Sequence, residues 1–249
     1  MVALSAVPWL VLVLAWAGEA SLGMVNPALL PPPGQVAAEA WRLAVGGTLW
    51  PHVFASTARV CAGVAIGTGL AVPAAFLLAR VPMARLVLEP MLNFFRALPP
   101  IALIPLVILY FGIGEGAKLI VLALGAFYAS VIVLFEGIVQ LPPIYAQVAR
   151  TLGADEREIF RQVVLPQTMP SLLTALRVAL GVTWATVVAA ELIAAQRGLG
   201  AMIQIAASFF QLKTILVGII AIGVCALLMD WILRVVSARL LRWQDRAQP

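Results

Sequence analysis

The chain has 249 residues, 63% of them hydrophobic and only 11% charged, with 16 basic against 11 acidic side chains and a net charge of +5. Soluble domains carry about 25% charged residues, so there is too little polar surface to cover a water-soluble globule and too much hydrophobicity for a disordered chain. The basic residues are spread thinly between apolar blocks, which excludes a nucleic-acid binder and leaves an all-α polytopic membrane protein, residues 1–249 forming one domain.

A spanning helix needs about 20 mainly apolar residues, and flanking charges mark six such blocks. The first is Val2–Gly18. Its Ala15-Trp16-Ala17 has the small-residue look of a signal-peptidase site, but no Lys or Arg precedes it, so it reads as a retained helix. Next, Asn26–Gln35 contains Leu30-Pro31-Pro32-Pro33-Gly34, a stiff extended stretch in which no helix is expected. Val36–Val45 follows as an interfacial helix on the outer face. His52 is the single histidine, and with no second one nearby it does not suggest a metal site.

The second block lies between Arg59 and Arg80 and has 20 uncharged residues. Its Gly63 and Gly67 form a GxxxG, which lets two helices approach closely. Cys61 here and Cys225 further on sit in apolar runs and read as small buried hydrophobes. The third block, between Arg96 and Glu115, has 18 residues. Leu98-Pro99-Pro100 opens it and either marks a helix start or bends the helix beside a pathway. The fourth lies between Lys118 and Glu136 with 17 residues, and the fifth runs from about Leu172 to Ala195 with Arg177 and Glu191 inside it. The sixth lies between Lys213 and Asp230 with 16 residues and extends to about Val236.

Orientation follows from the excess of Lys and Arg on the cytoplasmic side. With both termini inside, the inward segments hold Arg80, Arg85, Arg96, Arg150, Arg157, Arg161, Arg234, Arg239, Arg242 and Arg246, ten of the sixteen basic residues. Arg42, Arg59, Lys118, Arg197 and Lys213 face outward, and Arg177 lies within a span, so the N-in, C-in arrangement is expected.

The segment between the fourth and fifth spans carries the most information. Pro142 and Pro143 suit the first turn of a helix, Gly153 the left-handed residue that ends it, and Asp155 followed by Glu158 a capping box that starts another. Leu165-Pro166 is expected to stop that second helix, whose apolar side is Ile159, Phe160, Val163 and Val164. The result is a compact two-helix knob on the cytoplasmic face, suited either to a protein partner or to the lipid headgroups.

The knob resembles the "EAA" signature of permease subunits of ATP-binding-cassette importers: Glu-Ala-Ala, three residues, Gly, nine residues, Ile, one residue, Leu-Pro. Here Gln147-Val148-Ala149 is followed by Gly153 and Val163-Val164-Leu165-Pro166 at the full spacing, with Gln147, Val148 and Val163 departing from the pattern. Leu30-Pro31-Pro32-Pro33, Arg96-Ala97-Leu98-Pro99-Pro100, Phe111-Gly112-Ile113-Gly114-Glu115 and the stretch Ala189–Ala195 with Arg197-Gly198-Leu199-Gly200 resemble the branch that imports taurine, aliphatic sulfonates and nitrate.

The resemblance implies a type I importer permease fold, a bacterial inner-membrane location, and a homodimer around a central path. It also implies two copies of a separate ATPase docked on residues 142–166 and a periplasmic binding protein that delivers the substrate. Membrane lipid surrounds the dimer. The chain shows no Gly-x-x-x-x-Gly-Lys-Ser/Thr loop, so it is not an enzyme and binds no cofactor; ATP and Mg belong to the partner ATPase. The expected docking surface is Gln147, Val148, Ala149, Leu152, Gly153, Ala154, Asp155, Glu156 and Phe160.

Candidates for the path or its gate are Pro99, Pro100, Thr183, Trp184, Thr186 and Glu191. The last four sit on one helix, where Thr183, Trp184 and Thr186 either face the path or pack in the core. Glu191 is expected near the outer rim, paired with Arg197 or Arg59; Arg177 is expected to snorkel, and Asp230 to pair with Arg234. Taurine or another alkanesulfonate is the leading substrate, with nitrate or another small solute as the alternative. A secondary transporter or a membrane scaffold without an ATPase remains as the reading from a different class. Charges gather near the ends of the spans, which counts against the secondary transporter.

Overall fold

A computed structural model describes residues 2–22 and 29–242. Asn26 of the proline-rich stretch and Arg246 of the basic tail lie outside the described residues. The described elements are all helical, and the α-helices are numbered here in chain order: α1 Val2–Ser21, α2 Pro33–Val45, α3 Leu49–Arg80, α4 Pro82–Ala97, α5 Ile104–Phe111, α6 Glu115–Val139, α7 Ile144–Thr151, α8 Glu156–Glu158, α9 Leu165–Ala194, α10 Leu199–Ser208 and α11 Leu212–Leu240. Among the described residues four helices are long and apolar enough to cross a membrane: α3, α6, α9 with the turns preceding it, and α11.

The third predicted span is not one helix. α5 has only 8 residues, about 12 Å at 1.5 Å per residue, too short to cross alone. α4 and the segment Pro100–Phe111 join at an 89° bend, and counted together they make a fifth span. The physical cause is Pro99-Pro100, which removes two consecutive backbone donors and holds Leu98 extended at φ −79°, ψ 121°. Both readings of those prolines are met: Pro99 caps and Pro100 opens the helical segment Pro100–Leu103, and the chain bends there. Two further elements differ from expectation. α2 begins at Pro33 rather than Val36, because a proline fits the first helical position, where its missing N–H is not needed. α10 lies between the fifth and sixth predicted blocks, in a stretch with no element predicted.

The molecule divides into two compact units, residues 1–56 with 191–225, and residues 57–190 with 226–249. In the first, Trp16 donates to the carbonyl of Pro31 at 3.1 Å, and Thr214 donates to Glu39 at 3.1 Å, tying α11 to α2. α10 lies against α11 at Gly218, where a Cβ would meet Ile203.

In the second unit α3 and α6 cross at the predicted glycines. A Cβ on Gly63 would stand 2.7 Å from Leu122 Cβ, and one on Gly67 would strike the carbonyl of Ala123. At the next residue of α3, Thr68 shares a buried hydrogen bond of 2.8 Å with Ser130 of α6. Hydrocarbon provides no hydrophobic drive between helices, so close packing and such bonds hold the crossing. Ala71, Ala75, Leu78, Val131, Leu134 and Ala175 continue it. Ile104, Val107, Ala117, Val121, Ala189 and Ala190 form a second core that seats α5. Cys61 is exposed on α3 rather than buried, because the tight face of that helix is the one bearing Gly63 and Gly67.

Gly67→Leu is expected to destabilise the fold by roughly 1–3 kcal/mol through overpacking, whereas Gly69→Ala, with open space around it, stays neutral. Unfolding in a denaturing-detergent titration checks both, and equal stability for the two variants would remove the crossing from its central place.

Candidate functional site

The segment between α6 and α9 forms the knob. Gln147 N–H bonds the carbonyl of Pro143 at 3.0 Å to open α7. Gly153 ends it with φ +88°, and the N–H groups of Gly153 and Ala154 return to the carbonyls of Arg150 and Ala149, both at 3.0 Å. The capping box is formed as expected: Glu158 N–H donates to Asp155 Oδ1 at 2.7 Å and Asp155 N–H to Glu158 Oε2 at 3.1 Å. Arg150 donates to Glu156 at 2.8 Å and bridges the two arms of the turn.

Leu165-Pro166 does not stop the second helix. A six-residue π-helical segment, Ile159–Val164, carries it without interruption into α9. The wider π turn makes room for the ring of Pro166, which an α-helical carbonyl four residues back would oppose. The knob is therefore the first part of a continuous rod ending at Ala194.

Near the knob this rod touches both α3 and α6. Phe160 meets Phe76 of α3 edge to face, with centroids 5.2 Å apart, and the Arg80 guanidinium lies 4.3 Å over the Phe160 ring. At the neck, Gly137 of α6 and Ser171 of α9 approach so closely that a Cβ on Gly137 would overlap the serine side chain. Among the predicted docking residues, Gln147, Val148, Leu152, Gly153, Asp155 and Glu156 are exposed, and Leu152 is 83% open. Ala149 and Ala154 are half-buried, and Phe160 faces α3. Tyr145, Val148, Ala149, Leu152, Val163 and Pro166 line a mostly apolar groove of ≈ 560 Å³ along the knob. An apolar groove on a charged protrusion is suited to receiving a side chain from a partner.

The candidate path residues fall into two groups. Pro99 and Pro100 form the corner between α4 and α5, and the Pro100 ring rests against Gly125 of α6, where a Cβ would come within 3.2 Å. Thr183, Trp184 and Thr186 are 0%, 4% and 6% exposed, inside a single chain. Thr186 donates to its own helix at Val182. Within this chain all three are packed in the core.

Glu191 is also buried, at 1% exposure, and it organises the first unit. Ser56 donates to its carboxylate at 2.8 Å, and Gly200 N–H, in the first turn of α10, donates at 2.9 Å. The carboxylate thereby faces the positive end of the α10 dipole. Leu199 N–H donates to Ser56 Oγ at 2.8 Å, and His52 Nδ1 lies 2.9 Å and 3.1 Å from the carbonyl and amide of Gly198. Gly198, at φ +143°, packs so tightly on Glu191 that a Cβ would collide with the carboxylate. The Ala189–Ala195 and Arg197–Gly200 motifs are thus two halves of one polar clamp, with Ser56 and His52 as members that sequence reasoning missed.

In the second unit Arg59 takes Glu115, through Nε at 2.6 Å and Nη2 at 2.8 Å, and Lys118 joins the same carboxylate at 2.8 Å. Arg177 does not only snorkel: it donates to Asp230 at 2.6 Å, and Arg234 shares that carboxylate as expected. On α2, hydrogen bonding from the Arg42 guanidinium holds the Glu39 carboxyl below its usual range against a smaller opposing effect of burial.

Residues 63–242 match the family described as the binding-protein-dependent transport system inner membrane component. The chain is 42% identical over 219 residues to a "Probable ABC transporter permease protein" of Brucella abortus strain 2308, covering 88% of each. It is 35% identical over 243 residues to the taurine transport system permease protein TauC of Escherichia coli K12, covering 96% of this chain and 88% of that one. In fold it resembles a chain of the MetNI methionine ABC transporter solved in inward-facing conformations, with a TM-score of 0.63 at 21% identity over 79% of this chain and 97% of the other.

Two outcomes follow for the first unit. Glu191→Ala strands the Ser56 hydroxyl and the Gly200 amide and should cost roughly 2–4 kcal/mol, with Glu191→Gln milder because one acceptor oxygen remains; unchanged melting for Glu191→Ala would dismiss the clamp. Because the folded-state pKa of Glu39 is depressed, its contribution to stability is complete above the usual carboxylate range, about 4.3, and is lost as pH falls below it. A Glu39→Gln variant should therefore melt below the unsubstituted chain at pH 7, and the gap should narrow as pH falls below the usual carboxylate range.

Proposed function

This chain belongs to the binding-protein-dependent transport system inner membrane components, and we propose that it serves as the permease of an importer for a small anion, taurine or another alkanesulfonate. At the coarser level it is a multi-pass inner-membrane permease subunit of an ABC importer for a small solute and not itself an enzyme. The sulfonate reading is supported by the relation to TauC, a taurine transport permease aligned along 96% of this chain. Nitrate is the alternative cargo.

The observation that carries the mechanism is the knob: a tied protrusion with an open apolar groove, continuous with α9 and bearing the EAA spacing. In this reading a separate ATPase docks on residues 142–166, through Gln147, Val148, Ala149, Leu152, Gly153, Ala154, Asp155 and Glu156. Phe160 passes the load to α3 through Phe76 and Arg80. Two copies of the chain enclose the path, two ATPases supply ATP-driven work, and a periplasmic binding protein presents the cargo. α1, the four long helices and the bent pair make six spans with both termini inside, all within one permease domain over residues 1–249. The two-state element is the helix pair α6–α9, pinned at Gly137–Ser171.

The test is reconstitution with the cognate ATPase and binding protein in nanodiscs, with taurine, ethanesulfonate and nitrate added one at a time. Ligand-stimulated hydrolysis that requires the binding protein is expected, strongest with a sulfonate. Gly153→Val places a branched side chain in a left-handed turn, which costs about 1–2 kcal/mol or more. It should abolish stimulation while the helices stay inserted, since nothing else lies near that position. Full stimulation in that variant would defeat the coupling assignment. If no ATPase binds the knob, a secondary transporter or scaffold takes precedence.

A further inference from the structure

Arg96 stands in the last turn of α4, three residues before the corner prolines, and it makes no ion pair or hydrogen bond among the described residues. It lines two adjoining depressions. One is a groove of ≈ 290 Å³ walled by Leu98, Pro100, Gly125, Tyr128, Val178 and Val182. The other is a smaller notch of ≈ 100 Å³ whose polar members include Glu89, Asn93 and Glu136. Glu89 is already held by Arg85 at 2.9 Å. The guanidinium therefore sits between an apolar groove and a notch in which the Glu136 carboxylate has no ion-pair partner among the described residues.

Arg96 is exposed at the edge of this groove, so its guanidinium is open to an arriving anion. The guanidinium fork presents paired N–H donors that fit two oxygens of a sulfonate or related oxyanion, while an apolar lining takes a short alkyl chain. The groove supplies both. It also lies at the one break between α4 and α5, where helix carbonyls freed by Leu98-Pro99-Pro100 are tolerated only beside protein or a water-filled cavity. Sequence alone offered no basic cluster for an anion, because the groove is assembled from α4, α6 and α9.

We infer that Arg96 is the oxyanion contact of this permease: the carried sulfonate meets it in the groove at the α4–α5 corner. The contact is weak and reversible because the guanidinium is exposed to water, which competes for it, and Glu136 in the adjoining notch adds a repelling charge. This rests on the anion-importer reading above. The ligand class is a small alkanesulfonate, and a lipid headgroup phosphate is the other source of the same chemistry.

The experiment measures ethanesulfonate uptake by proteoliposomes holding the full chain with its cognate ATPase and binding protein. Arg96→Gln should lower the maximal rate roughly tenfold or more, as loss of a charge-assisted contact implies, without changing the concentration of loaded binding protein that gives half the rate. Arg96→Lys should recover part of the rate. In an Arg96→Cys chain with Cys61 and Cys225 replaced by alanine, aminoethyl methanethiosulfonate should restore uptake by returning a positive charge, and turnover with ethanesulfonate should slow that modification. Restoration also proves that the substituted chain is folded. Undiminished uptake by Arg96→Gln overturns the inference, and so does modification that neither restores uptake nor is slowed by ethanesulfonate, the result expected if Arg96 only holds a lipid phosphate. Failure of the unsubstituted chain to carry any sulfonate, while it carries another solute, overturns the anion reading itself and the inference with it.

Discussion

Inside hydrocarbon a backbone N–H or C=O has no water to bond, and each one left open costs several kcal/mol. Most of this structure follows from that constraint. α3, α6, α9 and α11 each run 25 to 32 residues with their backbone bonds closed within the helix. Departures from the α-helix occur where another device takes up the freed groups. At Pro99-Pro100 the chain turns through 89° beside a groove. At Pro166 it widens into a π segment instead of breaking. Those two places carry the proposed oxyanion contact and the start of the proposed lever, so the backbone exceptions and the functional candidates coincide.

The charges obey the same constraint. Several charged side chains near the spans are drawn to a partner of opposite sign or to a helix end. Glu115 collects Arg59 and Lys118, Asp230 collects Arg177 and Arg234, and Glu191 faces the amide end of α10. Pairs of this kind in a partly buried setting hold helices in register rather than adding much net stability. Against that background Arg96 differs: it is a cation at an apolar groove with its carboxylate neighbour one notch away.

What the sequence disclosed and what it hid divide along physical lines. Helices longer than a bilayer's thickness are visible as apolar runs, and the knob is visible because its instructions are local: Gly153 for a left-handed turn and Asp155 with Glu158 for a cap. The GxxxG of α3 pointed correctly to a close crossing, although not to α6 as its partner. Proline was harder to read. Its local effect is certain, but whether a helix ends, bends or widens depends on what lies beside it: Gly125 receives Pro100 at the corner, and a π turn accommodates Pro166. Partners distant in sequence were not legible either. His52 and Ser56 reach Gly198 and Glu191 across more than 130 positions, and no local pattern encodes such a meeting. The burial of Thr183, Trp184 and Thr186 was hidden for a related reason, since one apolar helix offers several similar faces and tertiary packing alone chooses among them.

The knob and the oxyanion groove belong to the same unit, and the same two helices join them. Along α6, Gly137 at the neck stands twelve residues from Gly125 in the groove wall, about 18 Å at 1.5 Å per residue. Along α9, Ser171 stands eleven residues from Val182, nearly the same distance, and Val182 packs beside Gly125 in the groove wall. At the neck a Cβ on Gly137 would overlap Ser171, so the two helices have no slack there to absorb a push. Close-packed contacts shift between discrete arrangements rather than yielding gradually. A load applied at Leu152 or Val148 would thus act on both helices at their crossing and move the walls that hold Pro100, Tyr128 and Val178. The corner at Pro99-Pro100 is the compliant point in that frame, because two missing amide donors leave it with fewer backbone bonds to break. A groove placed at the compliant corner of a stiff lever can open and close with little cost to the rest of the unit, which is what a transient, low-affinity contact for a passing anion requires.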